Sequence, residues 1–329
     1  MPLIPGILDQ STASDLVDLS IQDKWLKTPG TEFMFNFKKF CNVRTGNMDE
    51  TVKDTAISGG GSFQRKPEGA PRAKDKPVQG FDKSQDMTEF SVQLEITRRM
   101  WIFGIKKNKI EKVVGSYKTM AMERRERDAE DRLNNAMSAS YTSEEGDTIT
   151  VTGGDGSALI THNHSREDGG TDNNNEIGDG TSEMMDFEYD ALKALFLRAS
   201  AMKLLRGEEM SVDPDTLAMK KGSAIAFRAK EINGANGIPG GSENDAKGTP
   251  AMKLLELAYL TNAAFWWGFD STMINEEYGL QYVETQDITL GPQITNEDTG
   301  NFKYNVDAVY EYFHNDYRGW FGSDGTNAT

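Results

Sequence analysis

The chain has a single cysteine, Cys41, in 329 residues. That excludes an internal disulfide framework and a cysteine-built metal cage, and it fits a reducing cytosol. Histidine is almost as scarce: His162, His164 and His314 are the only three. His162 and His164 would share a face on a strand and could meet one metal ion, but no cysteine or third histidine nearby completes a set, so no metal site is expected. Long apolar runs are missing too, and nothing approaches the roughly 20 residues that cross a bilayer. The opening MPLIPGILDQ has neither a basic start nor an adequate apolar stretch, so no signal peptide is expected. Positive charge is in deficit, with 36 Lys and Arg against 52 Asp and Glu and a formal net charge of -16. Such a balance opposes general binding to nucleic-acid phosphates, which rests on Lys and Arg.

The signatures of catalysis are absent as well. There is no Gly-rich phosphate loop ending in Lys and Ser/Thr, no HExxH, no CxxC and no GxSxG elbow. Asp172, Asn174 and Glu176 have calcium-loop spacing, yet Ile177 stands where an EF-hand needs glycine. The loop 165–182, rich in Asp, Asn and Gly, reads as solvated coil. Trp266 and Trp267 read as core or interface residues, with a stacking platform for a sugar or base as the competing reading. No catalytic, cofactor-binding or metal residues are expected, and the chain does not read as an enzyme.

What the sequence does contain begins with a long helix over 111–137, EKVVGSYKTMAMERRERDAEDRLNNAM. Its ends are apolar, but Glu123 to Arg132 is almost wholly charged, so no face is dry throughout. A helix polar on all sides is laced by ion pairs, exposed between parts, or covered by another chain. Four pairs have the four-residue spacing: Glu123 with Arg127, Arg124 with Asp128, Arg127 with Asp131, and Asp128 with Arg132. Each contributes only about 0.2 to 0.5 kcal/mol.

Around this helix the chain alternates between patterned and unpatterned stretches. Residues 1–30 read as an extended arm or short helices. Phe33, Phe35 and Phe37 alternate with polar residues and predict a half-buried strand, as do Phe90, Val92, Leu94 and Ile96. Between them, residues 45–87 are rich in Gly, Pro and charge and cannot build a core. Two strands bracketing such an excursion predict a projecting hairpin. Its outer part is basic, carrying Arg65, Lys66, Arg72, Lys74, Lys76 and Lys83 against Glu68, Asp75 and Asp82. It reads either as a linker or as an arm on the acidic surface of another copy.

Further along, a strand is predicted at 148–151 and a helix at 187–206, with Asp186 as N-cap and Gly207 after its end. A strand at 216–219, a helix at 224–232 and a turn-rich boundary at 233–250 follow. A compact second domain with a mixed sheet fits 235–295. Last comes NFKYNVDAVYEYF, residues 301–313, with an apolar or aromatic residue at every second position, a long strand with one buried face.

This closing stretch, DTGNFKYNVDAVYEYFHNDYRGWFGSDGT from Asp298 to Thr326, resembles the end of tailed-phage major capsid proteins, particularly the group related to phage Mu head subunits. TEFSVQLEITRR (88–99) resembles the strand returning from that family's extended loop. DGSALITHNH (155–164) and DTLAMKK (215–221) resemble stretches of its body domain, although this chain has Lys220, Lys221 and Gly222 where family sequences often place prolines. The resemblance implies an α+β fold of the Hong Kong 97 type. Its divisions would be an N-terminal arm (1–44), an extended β-hairpin loop (45–97), a peripheral domain with a spine helix at 111–137 (98–234), an axial domain (235–297) and a returning C-terminal strand (298–329).

It further implies a structural head protein that assembles as pentamers and hexamers into an icosahedral shell around double-stranded DNA. The implied partners are its own copies, with scaffold, portal and decoration proteins, and the implied location is the virion capsid, assembled in the host cytoplasm. Arg65, Lys66, Arg72, Lys74 and Lys76 of the loop and Arg124, Arg125 and Arg127 of the helix are the expected inter-subunit contacts. The competing readings are a cargo-enclosing shell of the same fold and a secreted carbohydrate-binding protein using its tryptophans.

Overall fold

The computed structural model describes residues 21–30, 32–57, 65–66, 68–69, 72, 74, 79–97, 99, 107–166, 168–178, 185–204, 206–234, 252–296 and 298–325. The first elements are a helix at 21–27 (α1), a 3-10 turn at Glu32–Phe35 and α2 (Phe37–Phe40). Then come β1 (Asn42–Thr45), β2 (Thr51–Ile57), β3 (Gln79–Asp86), β4 (Thr88–Ile96) and the long α3 (Lys107–Asn134). After it lie β5 (Ser140–Thr142), β6 (Thr148–Thr150), α4 (Tyr189–Ser200), β7 (Thr216–Lys220) and α5 (Ala224–Gly234). The C-terminal part holds β8 (Lys253–Leu257), β9 (Trp266–Phe269), α6 (Ser271–Asn275), β10 (Leu280–Leu290), β11 (Ile294–Thr295), β12 (Phe302–His314) and β13 (Trp320–Ser323).

The strict alternation along 301–313 becomes β12, the centre of the larger sheet. Phe302, Tyr304, Val306, Ala308, Tyr310 and Tyr312 are all buried on one face, as period-two geometry requires. β12 pairs antiparallel with β10 on one side and with β4 on the other, while β1 runs parallel to β10. The β4 register sets Leu94 against Tyr304 and Val92 against Val306. The opposite face carries a polar ladder in which Ser91 Oγ donates to Asp307 at 2.6 Å and Gln93 Nε2 donates to Asn305 at 3.0 Å.

α3, 28 residues and about 42 Å long, packs on the buried face of this sheet. It begins before the expected 111 and ends before 137. α1 is fixed to it where Lys118 Nζ donates to the Trp25 carbonyl at 2.7 Å. Phe37 is buried against Tyr282, at 4.8 Å between ring centroids, and Tyr312, at 6.2 Å. The strand expected through Phe33, Phe35 and Phe37 is therefore not formed. That segment coils into the 3-10 turn and α2, because Phe37 and Phe40, three apart, both reach the core from one helical face.

The smaller sheet has the order β13-β9-β7-β8. Trp266, Trp267, Phe269, Trp320 and Phe321 are fully buried in it. The expected boundary at 234/235 cuts across this sheet: β7 precedes it, β8 and β9 follow it, and β13 comes from the last segment. β10 belongs to the other sheet altogether. Residues 235–297 are thus shared between two sheets, and pairing partners distant in sequence decide this. α4 is shorter than the expected 187–206: Glu188 rather than Asp186 is its N-cap, and it stops at Ser200. Gly207, at φ 87, sits in a later turn.

Candidate assembly surface

Three features face outward and carry charge: the hairpin, the outer side of α3, and the groove beside it. The hairpin is formed by β2 and β3, antiparallel from Thr51↔Asp86 to Ile57↔Gln79. The strands expected to bracket the excursion are replaced by these inner ones, and β4 pairs with the body instead. The hairpin base is fixed to the body. Asn315 Nδ2 donates to the carbonyls of Asp54 on one strand and Phe81 on the other, at 3.2 and 3.3 Å. Gln281 Nε2 reaches Asp54 Oδ2 at 2.8 Å, and Val52 packs with Val283 and Phe313. Lys83 is partly buried here, and burial lowers its pKa. Beyond the base, Arg65, Lys66, Arg72 and Lys74 are exposed. Lys76 lies outside the described residues.

The charged middle of α3 divides into an inner and an outer half. Arg125, Glu126, Glu130 and Arg132 are buried, at 4, 0, 0 and 5 % exposure. Arg125 pairs with Asp287 at 2.8 Å and lies over the Phe37 ring at 5.1 Å. Arg132 pairs with Glu311 at 2.5 Å. In this half the charges bind partners in the same chain, and Arg125, expected at an inter-subunit contact, is only 4 % exposed. Arg124 and Arg127 are partly exposed. Arg124 binds Asp128 at 2.6 Å and Glu145 at 2.5 Å, and Arg127 binds Glu144 at 2.9 Å. The Arg124 hydrogen bond holds the Glu145 carboxyl down to about 2. Of the four expected pairs along the helix, only Arg124–Asp128 forms among the described residues. Half-buried Asp128 is also the acceptor for Tyr310 Oη at 2.8 Å, and desolvation pushes its pKa up to about 6.

Between α3 and the strands β4 and β12 lies an open groove of about 410 Å³, with a floor of Phe90, Val92, Met120, Val306, Ala308 and Tyr310. A second hollow of about 380 Å³ continues it past Glu89, Glu145 and Asp147. Acidic groups outnumber basic ones along both. Among the described elements β4 pairs only with β12, so the strand edge beside the groove is open. The alternation of β4 and β12 was visible in the sequence, but the groove was not, because it depends on where α3 crosses the sheet.

Among the described residues the histidines have other environments than a metal set. His164 is fully buried, its Nδ1 2.7 Å from Asp155 and its Nε2 3.2 Å from Asn175 Oδ1, with its ring stacked on Tyr317. His162 is half exposed and faces Glu176. The two do not converge, and no group of three His, Cys, Asp or Glu among the described residues could hold a metal ion. Trp266 and Trp267, both 0 % exposed, present no stacking platform for a sugar. No helix among the described residues is long and apolar enough to cross a membrane.

Comparison with solved structures decides the architecture. The capsid of the myovirus phage XM1 matches over 98 % of this chain and 96 % of its own, with a TM-score of 0.50 at 10 % identity. The chain has a phage-capsid fold. The α+β class expected for the Hong Kong 97 type is the one found, and the match covers nearly the whole chain. The capsid of a native GTA particle is also similar (TM-score 0.47, 11 % identity, 98 % and 92 % of the two chains). So is a virus-like particle from Pyrococcus furiosus (TM-score 0.44, 8 % identity, 94 % and 98 %). No family model matches the chain and no curated protein is similar to it in sequence, so the likeness of Asp298–Thr326 to Mu-related head subunits rests on those residues alone.

Proposed function

We propose that the chain is a major capsid protein of a tailed phage, related to the Mu-like head subunits, whose copies close as pentamers and hexamers into an icosahedral shell around double-stranded DNA. The observation that carries this reading is the capsid fold over 98 % of the chain. Residues 1–44 act as the arm and 45–97 as the extended loop. The part bearing α3 is the peripheral domain, 235–297 contribute the axial part, and 298–329 return to the peripheral sheet. Scaffold, portal and decoration proteins are the partners of such a shell, its place is the virion capsid, and it is assembled in the host cytoplasm. The net charge of -16 keeps the shell wall from adhering to the phosphates it encloses.

In this reading the hairpin of one copy lies on a neighbour. Arg65, Lys66, Arg72, Lys74 and Lys76 meet an acidic surface, and the groove beside α3, rimmed by Glu123, Glu144 and Glu145 with Arg124 and Arg127, supplies one. Each exposed pair contributes only about 0 to 1 kcal/mol, so the effect comes from repetition around closed rings.

Size-exclusion chromatography and negative-stain microscopy of the full chain, with and without a scaffold protein, test the assignment. Closed particles are expected, and a monomer that persists under every assembly condition refutes it. Particles that enclose protein cargo and no DNA would assign the chain to a nanocompartment shell instead. Replacing Arg65, Lys66 and Arg72 together by Glu is expected to abolish particles while leaving the subunit's circular dichroism unchanged. Normal particles from that variant would remove the arm's role.

A further inference from the structure

Glu126 and Glu130 lie one helical turn apart on the same side of α3, and neither side chain is exposed to solvent. Among the described residues neither is ion-paired. What they bind instead is main chain from two distant parts of the molecule. Glu126 Oε2 accepts the Phe37 N–H at 3.2 Å. Phe37 is the first residue of α2, whose N-cap Asn36 makes no side-chain cap bond, so the carboxylate of another helix satisfies an orphan donor there. Glu130 accepts the N–H of Ala258 at 3.2 Å and of Tyr259 at 2.5 Å, in the turn that follows β8. The second oxygen of Glu126, Oε1, is buried with no donor.

Two carboxylates in this position carry a large desolvation penalty, and one turn apart they repel each other. The charged and titratable groups facing them are few. Lys39 and Cys41 come from the α2 side, Tyr259 from the turn, and Arg125 and Asp131 from α3 itself. Arg125 is already engaged by Asp287, and Lys39, exposed and bonded to Asn36 Oδ1 at 3.0 Å, opposes the burial of Glu126 only weakly.

We propose that Glu126 and Glu130 form a proton-loaded clasp that holds α2 and the Ala258–Leu260 turn on the spine helix while a proton is bound, and that releases both when the pair ionises fully. Burial is the main cause that pushes both carboxyls up, Glu126 to about 8 and Glu130 to about 7, against the opposing pull of the backbone N–H donors. The sign follows: groups raised above their unfolded values add stability that is complete below pH 4.5 and is lost as the pH rises through 7 and 8. The N-terminal segment and the second sheet then loosen from α3 together.

Hydrogen–deuterium exchange of the full chain between pH 6 and 9, corrected for the intrinsic rate, reads this directly at Phe37, Ala258 and Tyr259. Protection at all three is expected to fall with rising pH, up to about tenfold per pH unit where opening releases one proton. Amides in the middle of β12 should hold level. In the Glu126→Gln, Glu130→Gln double variant the amide oxygen at 126 still accepts the Phe37 N–H and the one at 130 accepts one of the two N–H groups that Glu130 takes on separate oxygens, so one of Ala258 and Tyr259 starts less protected, but protection at none of the three should change with pH. Glu126→Ala should lose Phe37 protection at every pH yet keep the pH dependence at Ala258 and Tyr259. A flat wild-type profile, or a double variant whose protection falls as steeply as wild type, overturns the proposal. If the double variant does not fold, each single Gln variant and the wild-type profile decide the matter in the same way.

Discussion

Replacing Arg132 by Met should destabilise the subunit by about 3 to 5 kcal/mol, the usual cost of leaving half of a buried ion pair behind. Arg132 Nη2 donates to Glu311 Oε1 at 2.5 Å, with side chains only 5 and 10 % exposed. The same carboxylate takes the Thr88 hydroxyl on Oε2 at 2.6 Å and the Tyr312 N–H on Oε1 at 3.0 Å. Methionine fills much of the volume but supplies no charge, so Glu311 would be left in the interior with neutral donors alone. The Glu311→Gln change leaves Arg132 uncompensated instead and should cost a similar amount. Removing both charges, as Arg132→Met with Glu311→Leu, should cost far less than the two single changes together, because the desolvation of both ions is relieved. Urea denaturation of the unassembled subunit, followed by circular dichroism, gives the three values and the coupling between them. A single-variant loss below about 1 kcal/mol, or simple additivity, would refute the claim that this pair joins α3 to β12 and, through Thr88, to β4.

Two backbone positions give independent checks. Gly279 has φ 92, and a Cβ there would lie 2.2 Å from Trp320 Nε1. Gly279→Ala should therefore cost about 2 kcal/mol or more from strain and overpacking combined, whereas Gly46→Ala, also at positive φ but in open space, should cost about 1 kcal/mol; thermal melts of the two variants compare them. Asp270 caps α6, accepting the N–H groups of Thr272 at 2.9 Å and Met273 at 3.3 Å on Oδ1 and that of Asp213 at 3.0 Å on Oδ2. Asp270→Ala should lose about 1 to 2 kcal/mol by chemical denaturation, while Asp270→Asn should keep the α6 cap on its one oxygen and lose only the Asp213 bond, a smaller cost.

The parts of the fold that the sequence made legible are those where periodicity and partner agree. β12 is long, strictly alternating and central, so its pattern could be satisfied only one way. β4 was recognised by the same pattern. The Phe33, Phe35 and Phe37 alternation had the same appearance but a different outcome, because Phe37 and Phe40 reach Tyr282 and the core only from a helical turn. α4 was overextended for a related reason: the apolar stripe continues through Met202, which is buried after the helix has ended. The basic hairpin was legible from composition. The groove beside α3 was not, since Met120 on the helix and Phe90 and Val306 on the strands come together only when α3 is laid across the sheet.

The charged run of α3 shows why local spacing could not decide its role. Four-residue pairs along the helix were available on paper, and most of those side chains chose partners elsewhere. Arg125 reaches Asp287, 162 positions away, and Arg132 reaches Glu311, 179 positions away. Glu126 and Glu130 take backbone donors 89 and 128 positions away. Apolar contacts at Val114, Ala129 and Leu133, all buried, hold the helix against the body but leave its rotation and register weakly specified. Directional bonds to fixed points on α2, β10, β12 and the turn after β8 specify both, since each misplaced group would become an unpaired buried ion. The helix is therefore charged on all sides for two separate reasons, inward to fix its own position and outward to line the groove.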